Sequence, residues 1–216
     1  QIDAIRVDNP PHIDGRVDDA VWNLAFKVDE FFQQEPDLGE PSSEKTEVFV
    51  CFDSKNIYFG IKCWDNPEKI AAKEMLYDAK ISNDDRMRIL IDTYNNKRTG
   101  YYIAINPLGA KNDASLSNDG SSKNEDWDGI WDGRAHITDC GWEAEIAIPF
   151  QTLGFDRNND TWGIKFSREI EHKSETSYWP KVGINSASSQ LSDAGILVGL
   201  KDISQGIGLN FSPYLV

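Results

Sequence analysis

The stretch from Thr46 to Trp64 constrains the fold more than any other part of the chain. Thr46–Phe52 (TEVFVCF) is a run of apolar, β-branched and aromatic residues, and Ile57–Trp64 (IYFGIKCW) repeats that character after the turn-forming Asp53-Ser54-Lys55-Asn56. Both runs are too short for helices, and the polar break between them is hairpin-sized, so they predict an antiparallel pair. The pattern recurs. Arg86–Asp92 (RMRILID) and Gly100–Asn106 (GYYIAIN) flank the polar Thr93–Thr99, and Arg134–Thr138 and Trp142–Ile148 flank Asp139-Cys140-Gly141. Trp162–Ile170 and Gly195–Leu200 add two further runs. Helical signals are short. Asp18–Trp22 reads as a capped single helix with acid in its first turn, Pro67–Tyr77 as a short helix or irregular strand, and Pro149–Leu153 as a Pro-initiated turn of helix. Strands at this spacing, with no internal repeat, predict an all-β chain: an antiparallel jelly-roll-like β-sandwich with short helical decorations.

Charge narrows the partners. The 216 residues hold 36 Asp and Glu against 22 Lys and Arg, a net −14. Phosphate binding needs a surplus of cations on one face, so nucleic acid is excluded as a partner, and direct binding to anionic lipid with it. No apolar run approaches the roughly 18 residues of a membrane-spanning helix. Gln1 is compatible with a mature N-terminus after signal cleavage, or with a shortened chain. The cysteines form no disulfide framework. The hairpin register sets Cys51 opposite Tyr58, away from Cys63, and Cys140 lies in a turn, so three ordinary thiols, partly buried, are expected.

Two stretches break the strand rhythm. Residues 111–133 (KNDASLSNDGSSKNEDWDGIWDG) read as one long polar loop, and from Asp113 to Asp132 six acids accompany a single Lys123. Asp126-Trp127-Asp128-Gly129 alternates carboxylates around a turn, and Asp113, Asn118, Asp119, Asn124 and Glu125 are near in sequence. Hard cations such as Ca²⁺ draw six to eight oxygens from loops of this kind, although the spacing is not that of an EF-hand. The competing reading is a solvated acidic loop. Asp84-Asp85 is a second metal candidate, set against a backbone cap or an ion pair with Arg86 or Arg88. Residues 206–216 alternate as a fresh strand, which fits either a chain cut from something longer or a last edge strand.

Trp127, Trp131 and Trp179 lie in loop or turn contexts and are the tryptophans expected to be exposed, whereas Trp22, Trp64, Trp142 and Trp162 fall in periodic segments and are expected in the core. Exposed indoles beside Asp, Asn and Arg suit sugar recognition, in which a pyranose face stacks on a ring while its hydroxyls take hydrogen bonds. The alternative is that Trp127 and Trp131 fold back to pin their own loop. Catalytic signals are weak. His12, His136 and His172 are scattered, and HExxH, CxxC, P-loop and GxSxG motifs are absent. With 36 acids, no one carboxylate pair singles itself out for glycoside hydrolysis.

Four motifs together resemble a known family. Pro11–Trp22 (PHIDGRVDDAVW) is similar to the opening of family 9 carbohydrate-binding-module-like domains, and Thr46–Gly60 to their first hairpin. Asn83-Asp84-Asp85-Arg86 with Ile91-Asp92 resembles their central strand, and Gly141–Pro149 (GWEAEIAIP) a strand near their end. The likeness runs from about residue 3 to residue 200. Asp92–Asn95, Arg98–Tyr101, Asn106–Ala110, Asp126–Trp131 and Ser177–Trp179 look like a subgroup found mainly in Gram-negative bacteria. There the module precedes a predicted outer-membrane β-barrel of uncharacterised function.

The resemblance implies a module over residues 1–204 and the start of a barrel strand at 205–216. It also implies export across the inner membrane and a periplasmic or outer-membrane location, with the C-terminal β-barrel of the same polypeptide as a partner. The implied role is non-catalytic binding of a carbohydrate or glycan-like ligand, with structural Ca²⁺. On that expectation Trp127, Trp131 and Trp179 stack on the ligand, and Asp126, Asp128, Arg98 and Asn106 bond to it. Asp113, Asp119, Asp126 and Asp128, with Asp84 and Asp85, are the candidate metal ligands. A cap or plug packing on its own barrel is the alternative. Glycoside hydrolysis, or haem binding through Met75, Met87, His136 or His172, ranks below both.

Overall fold

The alternating runs become strands because one face of each can be buried while the other meets solvent or a covering loop. The computed structural model describes residues 1–205; residues 206–216, on which the expected barrel strand falls, lie outside the described residues. In chain order the strands are β1 (Ile2–Asp3), β2 (Ile5–Arg6), β3 (Phe26–Val28), β4 (Phe32–Glu35), β5 (Thr46–Phe52), β6 (Asn56–Trp64), β7 (Arg86–Asp92) and β8 (Gly100–Ile105). They continue with β9 (Lys111–Ser117), β10 (Ser122–Asn124), β11 (Asp132–Thr138), β12 (Gly141–Pro149), β13 (Thr161–Ile170), β14 (Glu175–Trp179) and β15 (Gly195–Val198).

They build two sheets. The larger has nine strands in the order β1-β15-β13-β7-β8-β9-β10, with β14 on β13 and β4 on β14. The smaller runs β11-β12-β6-β5-β2, with β3 also on β5. Pairing is antiparallel except at the N-terminus, where β1 joins β15 and β2 joins β5 in parallel. This is the all-β sandwich expected, with only short 3₁₀ turns as decoration.

The core lies between the sheets. Val48, Val50 and Phe52 of β5 meet Met87, Ile89 and Ile91 of β7 and Trp162, Ile164 and Phe166 of β13 in one buried cluster. Each such side chain contributes about 1.5–3 kcal/mol by leaving water. Arg168 continues the inward row of β13 and is fully buried. Its two terminal nitrogens reach the opposite sheet: Nη1 donates to Lys45 O and Thr46 Oγ1 and Nη2 to Trp64 O, and Nη2 lies 3.5 Å from Asp65. A cation in the core thus ties the two layers together.

The strap of residues 7–25 covers the outer face of the smaller sheet, packing Val7, Val17 and Trp22 on Cys51 and Tyr58. The fully buried Glu145 of β12 anchors it. Asp14 N and Gly15 N donate to Glu145 Oε2, and Trp22 Nε1 donates to Oε1 at 2.9 Å. Gly15 has φ +91°, and a Cβ there would lie 3.1 Å from the Ala135 backbone. The IDG–W opening and the GWEAEIAIP strand are therefore halves of one device.

Three expectations need correction. Residues 111–133 are not one loop, because β9 and β10 form a hairpin over Lys111–Asn124. Its alternation escapes notice because Ser, Asn and Asp interrupt it and β10 is exposed on the sheet edge. The Asp18–Trp22 helix is only a 3₁₀ turn, Ala20–Asn23, and no side chain caps it. Trp64 is half-buried, with Lys45 Nζ 4.3 Å over its ring, because Ile57, Phe59, Ile61 and Cys63 form the inward row of β6 and Trp64 falls on the outward one.

Candidate functional site

The outer face of the larger sheet holds a groove. Register places Arg86 opposite Glu169, Arg88 opposite Ser167, and Ser167 opposite Tyr178, so outward side chains from β7, β13 and β14 fall into rows. Part of this face is roofed: Leu90, Tyr102 and Ala104 are covered by Ile81 and Leu191 from two crossing segments. Beside the roofed part lies a groove of about 640 Å³. Arg86, Arg88, Glu169, Thr176 and Tyr178 line it, with walls from Gln34–Leu38 and Ile184–Ser188.

Its floor is a preorganised polar network. Glu169 takes one guanidinium on each oxygen: Arg86 pairs with Oε2, and Arg88 Nη2 lies 2.5 Å from Oε1. Arg88 Nε donates to Ser167 Oγ at 2.8 Å, and Arg86 Nη1 donates to Ile81 O. Burial, and then the neighbouring Arg88, lower the Arg86 pKa, while burial raises that of the Tyr178 hydroxyl. Beside Tyr178, Lys165 Nζ reaches Ser186 Oγ and the carbonyls of Ala187 and Gln190, and burial drops its pKa to about 8. Leu38 and Ile184 are exposed apolar side chains on the walls. Two arginines face two carboxylates, Glu35 and Glu169, so the groove is nearly charge-balanced inside an acidic molecule. It offers fixed planar donors and acceptors beside an apolar wall, which suits a hydroxyl-rich neutral ligand.

A second cluster lies where the 70–84 segment meets β9 and the 125–131 turn. One carboxylate oxygen each from Asp78, Asp113 and Asp128 lies within 4.8 Å of the others. Asp113 is buried, and its Oδ2 accepts from Tyr77 Oη at 2.9 Å and from Trp131 Nε1 at 2.5 Å. Burial, followed by repulsion from Asp113 and Asp128, raises the Asp78 carboxyl above its usual range.

The family model for carbohydrate family 9 binding domain-like proteins matches residues 13–185. The chain belongs to that family. A family 9 carbohydrate-binding module from Caldicellulosiruptor kristjanssonii, solved in complex with cellotriose, is similar in fold at 15% identity and a TM-score of 0.65, over 98% of this chain and 99% of that one. A module of that family from the same organism, solved with glucose, gives 14% and 0.65 over 96% and 99%. A Bacteroides uniformis protein, provisionally assigned as carbohydrate-binding, gives 12% and 0.73 over 91% and 97%. No protein of curated function matches the sequence. At these identities the structural likeness establishes the fold alone.

In this family 9 domain none of the seven expected ligand residues, Asp126 and Asp128 included, lines the groove. Trp131 is buried, correcting its expected exposure, because its indole N–H is used on Asp113. Trp127 is half-buried against Tyr101, ring centroids 4.9 Å apart. Trp179 is half-buried against Phe166 and borders a separate 260 Å³ hollow with Phe26 and Lys27. Asn106 is buried with its amide filled: Nδ2 donates to Glu74 O and Asp84 Oδ2, and Oδ1 accepts from Leu108 N and Ala110 N. Arg98 is exposed on a turn, and its carbonyl accepts from Asp119 N.

Of the six expected metal ligands, only Asp113 and Asp128 converge. Asp119 is engaged by Leu191 N, Ser192 N and Ser192 Oγ. Asp84 accepts from Glu74 N and Asn106, Asp85 accepts from Glu171 N, and Asp126 is exposed. Arg86 and Arg88 pair with Glu169, not with Asp84 or Asp85. The residues weighed for haem stand in separate settings. Met87 is in the core, Met75 is exposed, His136 Nδ1 meets Gly15 O, and His172 Nε2 meets Asp65.

Sequence reasoning missed Arg86, Arg88, Glu169 and Asp78. RMRILID did hold a signal: with Met87, Ile89 and Ile91 turned inward, both arginines must share the outer face. Asp78 had none, because its partners are distant in sequence.

Proposed function

We propose that this domain is a non-catalytic carbohydrate-binding module whose ligand lies in the groove over Arg86, Arg88, Glu169 and Tyr178. The observation that carries the reading is the row of guanidinium and carboxylate groups held rigid by strand register on an uncovered part of the larger sheet's outer face. Planar forks of this kind bond adjacent hydroxyls in pairs, and Leu38 and Ile184 offer apolar contact to a ring face. Both oxygens of Glu169 are taken by arginines, which leaves it a poor proton donor and favours binding over hydrolysis. Family membership and relatives solved with glucose and cellotriose support the same class of ligand.

Calorimetric titration with glucose, cellotriose and a panel of neutral oligosaccharides tests this. Binding to at least one, weakened tenfold or more by Arg88→Ala, is the expected outcome; full affinity in Arg88→Ala would remove the groove from the account. The periplasmic or outer-membrane location and the barrel partner implied by the subgroup resemblance belong to the same proposal. Fractionation of cells expressing the full-length protein checks them, and recovery in the cytoplasm would contradict them.

A further inference from the structure

We propose, building on the groove as the sugar site, that Lys165 is a positioning residue for it: its ammonium fixes the 184–190 wall, and with it the apolar contact at Ile184, so that loss of the ammonium weakens sugar binding. Residues 180–194 run from β14 to β15 without a strand or helix, so side chains must hold them. Ile184 is 72% exposed on that wall, and its place follows from the backbone beneath it. Lys165 lies under that backbone. It points outward from β13 in the row of Ser167 and Glu169, yet it is 1% exposed. Its Nζ is 3.3 Å from Ser186 Oγ, 3.3 Å from Ala187 O and 3.4 Å from Gln190 O. It also stands 4.9 Å from the ring centroid of Tyr178, which lines the groove.

The donor count matches the acceptors. An ammonium carries three N–H groups and no acceptor, and three oxygens of the wall stand around this one. Ser186 Oγ in turn donates to Asp193 Oδ2. From the facing wall, Gln34 Nε2 donates to Gly183 O at 3.0 Å and Ser186 O at 2.8 Å, so Lys165 and Gln34 grip the same stretch from below and from across the groove. A neutral amine has two N–H groups and a lone pair. One wall oxygen would then lose its donor while the lone pair faced oxygen, a cost the wall escapes only by moving away. Burial pushes the Lys165 pKa down to about 8 against the pull of Asp193; Arg88 of β7 adds to the fall, and Asp119 of the β9–β10 turn opposes it. The ammonium is therefore present at pH 7 and lost as pH rises through about 8. The Tyr178 hydroxyl, its pKa raised by burial, keeps its proton over that range.

The test follows two signals between about pH 7 and about pH 9.5. One is the calorimetric affinity for the tightest-binding sugar among glucose, cellotriose and the neutral oligosaccharides. The other is NMR of the ligand-free, ¹³C-labelled chain, read at the Ile184 methyls and at Lys165 Cε. Affinity should fall about fivefold across the range, the loss of one hydrogen bond, and the Ile184 methyls should shift with the same midpoint as Lys165 Cε. Lys165→Met should bind at pH 7 as wild type does at pH 9.5, with affinity and Ile184 methyls unchanged between the two. Wild-type affinity in Lys165→Met at pH 7, or Ile184 methyls that stay still while Lys165 Cε titrates, would overturn the role. The NMR titration uses the wild-type chain, so it decides even if Lys165→Met fails to fold. It also needs no sugar: were every sugar to fail, the groove reading and the effect on affinity would fall together, while the methyls would still show whether Lys165 holds the wall.

Discussion

Replacing Glu145 with Ala would leave Asp14 N, Gly15 N and the Trp22 indole N–H without their acceptor beneath the strap. Buried donors left unpaired cost about 1–3 kcal/mol each. Glu145→Ala should therefore lose about 3 kcal/mol or more in urea unfolding, and Glu145→Gln distinctly less. Asp85 makes a different prediction. Burial lifts its carboxyl from 3.8 to about 6; the Glu171 N–H, Arg168 and His172 oppose the rise and Asp65 adds to it. Between those values the native state holds a proton that the unfolded chain has released. This group therefore costs nothing below about pH 4 and removes stability as pH rises to about 6. Urea midpoints at pH 4, 5, 6 and 7 should show Asp85→Asn gaining on wild type across that window, and parallel curves would contradict it. Neither residue's role was legible locally. Glu145 sits in an alternating strand that any outward carboxylate could fill, and its burial follows from a strap more than a hundred residues away.

At the level of elements, the hairpins were read almost to the residue because their apolar alternation and turn chemistry agree. Asp53 illustrates this, since its Oδ1 accepts from Lys55 N and Asn56 N and closes the β5–β6 turn. The β9–β10 hairpin was missed because it borders the sheet and its buried residues, Asp113, Ala114 and Leu116, make no clean apolar alternation. Its polar sequence resembles a loop, and only pairing with β8 makes it a strand. The turn between β11 and β12 offers the sharpest check. Gly141 has φ +142°, and a Cβ there would meet Cys63 O at 2.0 Å. Gly141→Ala should cost about 2 kcal/mol or more in thermal or urea unfolding, through backbone strain and displacement of β6. A loss under 0.5 kcal/mol would show that the turn relaxes.

For the whole molecule, the −14 of the sequence resolves into two local situations. Three of its aspartates, Asp78, Asp113 and Asp128, gather in one cluster, while the groove balances arginines against glutamates. The two-sheet architecture and the family were legible because they rest on periodicity and on short contiguous motifs. The site was not, because the groove exists only after β7, β13 and β14 align and two segments roof part of the face. Tryptophans drew attention by residue type, yet three-dimensional packing spends Trp131 on Asp113 and Trp127 on Tyr101. The central claim is that sugar binds in the groove. An NMR titration of the isotopically labelled chain with glucose, cellotriose and a wider oligosaccharide panel measures it most directly. Saturable shifts centred on the Arg86 and Arg88 side chains and the Ser167–Glu169 amides are predicted. Shifts centred on Trp179 and Phe26, or none with any sugar of the panel, would contradict the account.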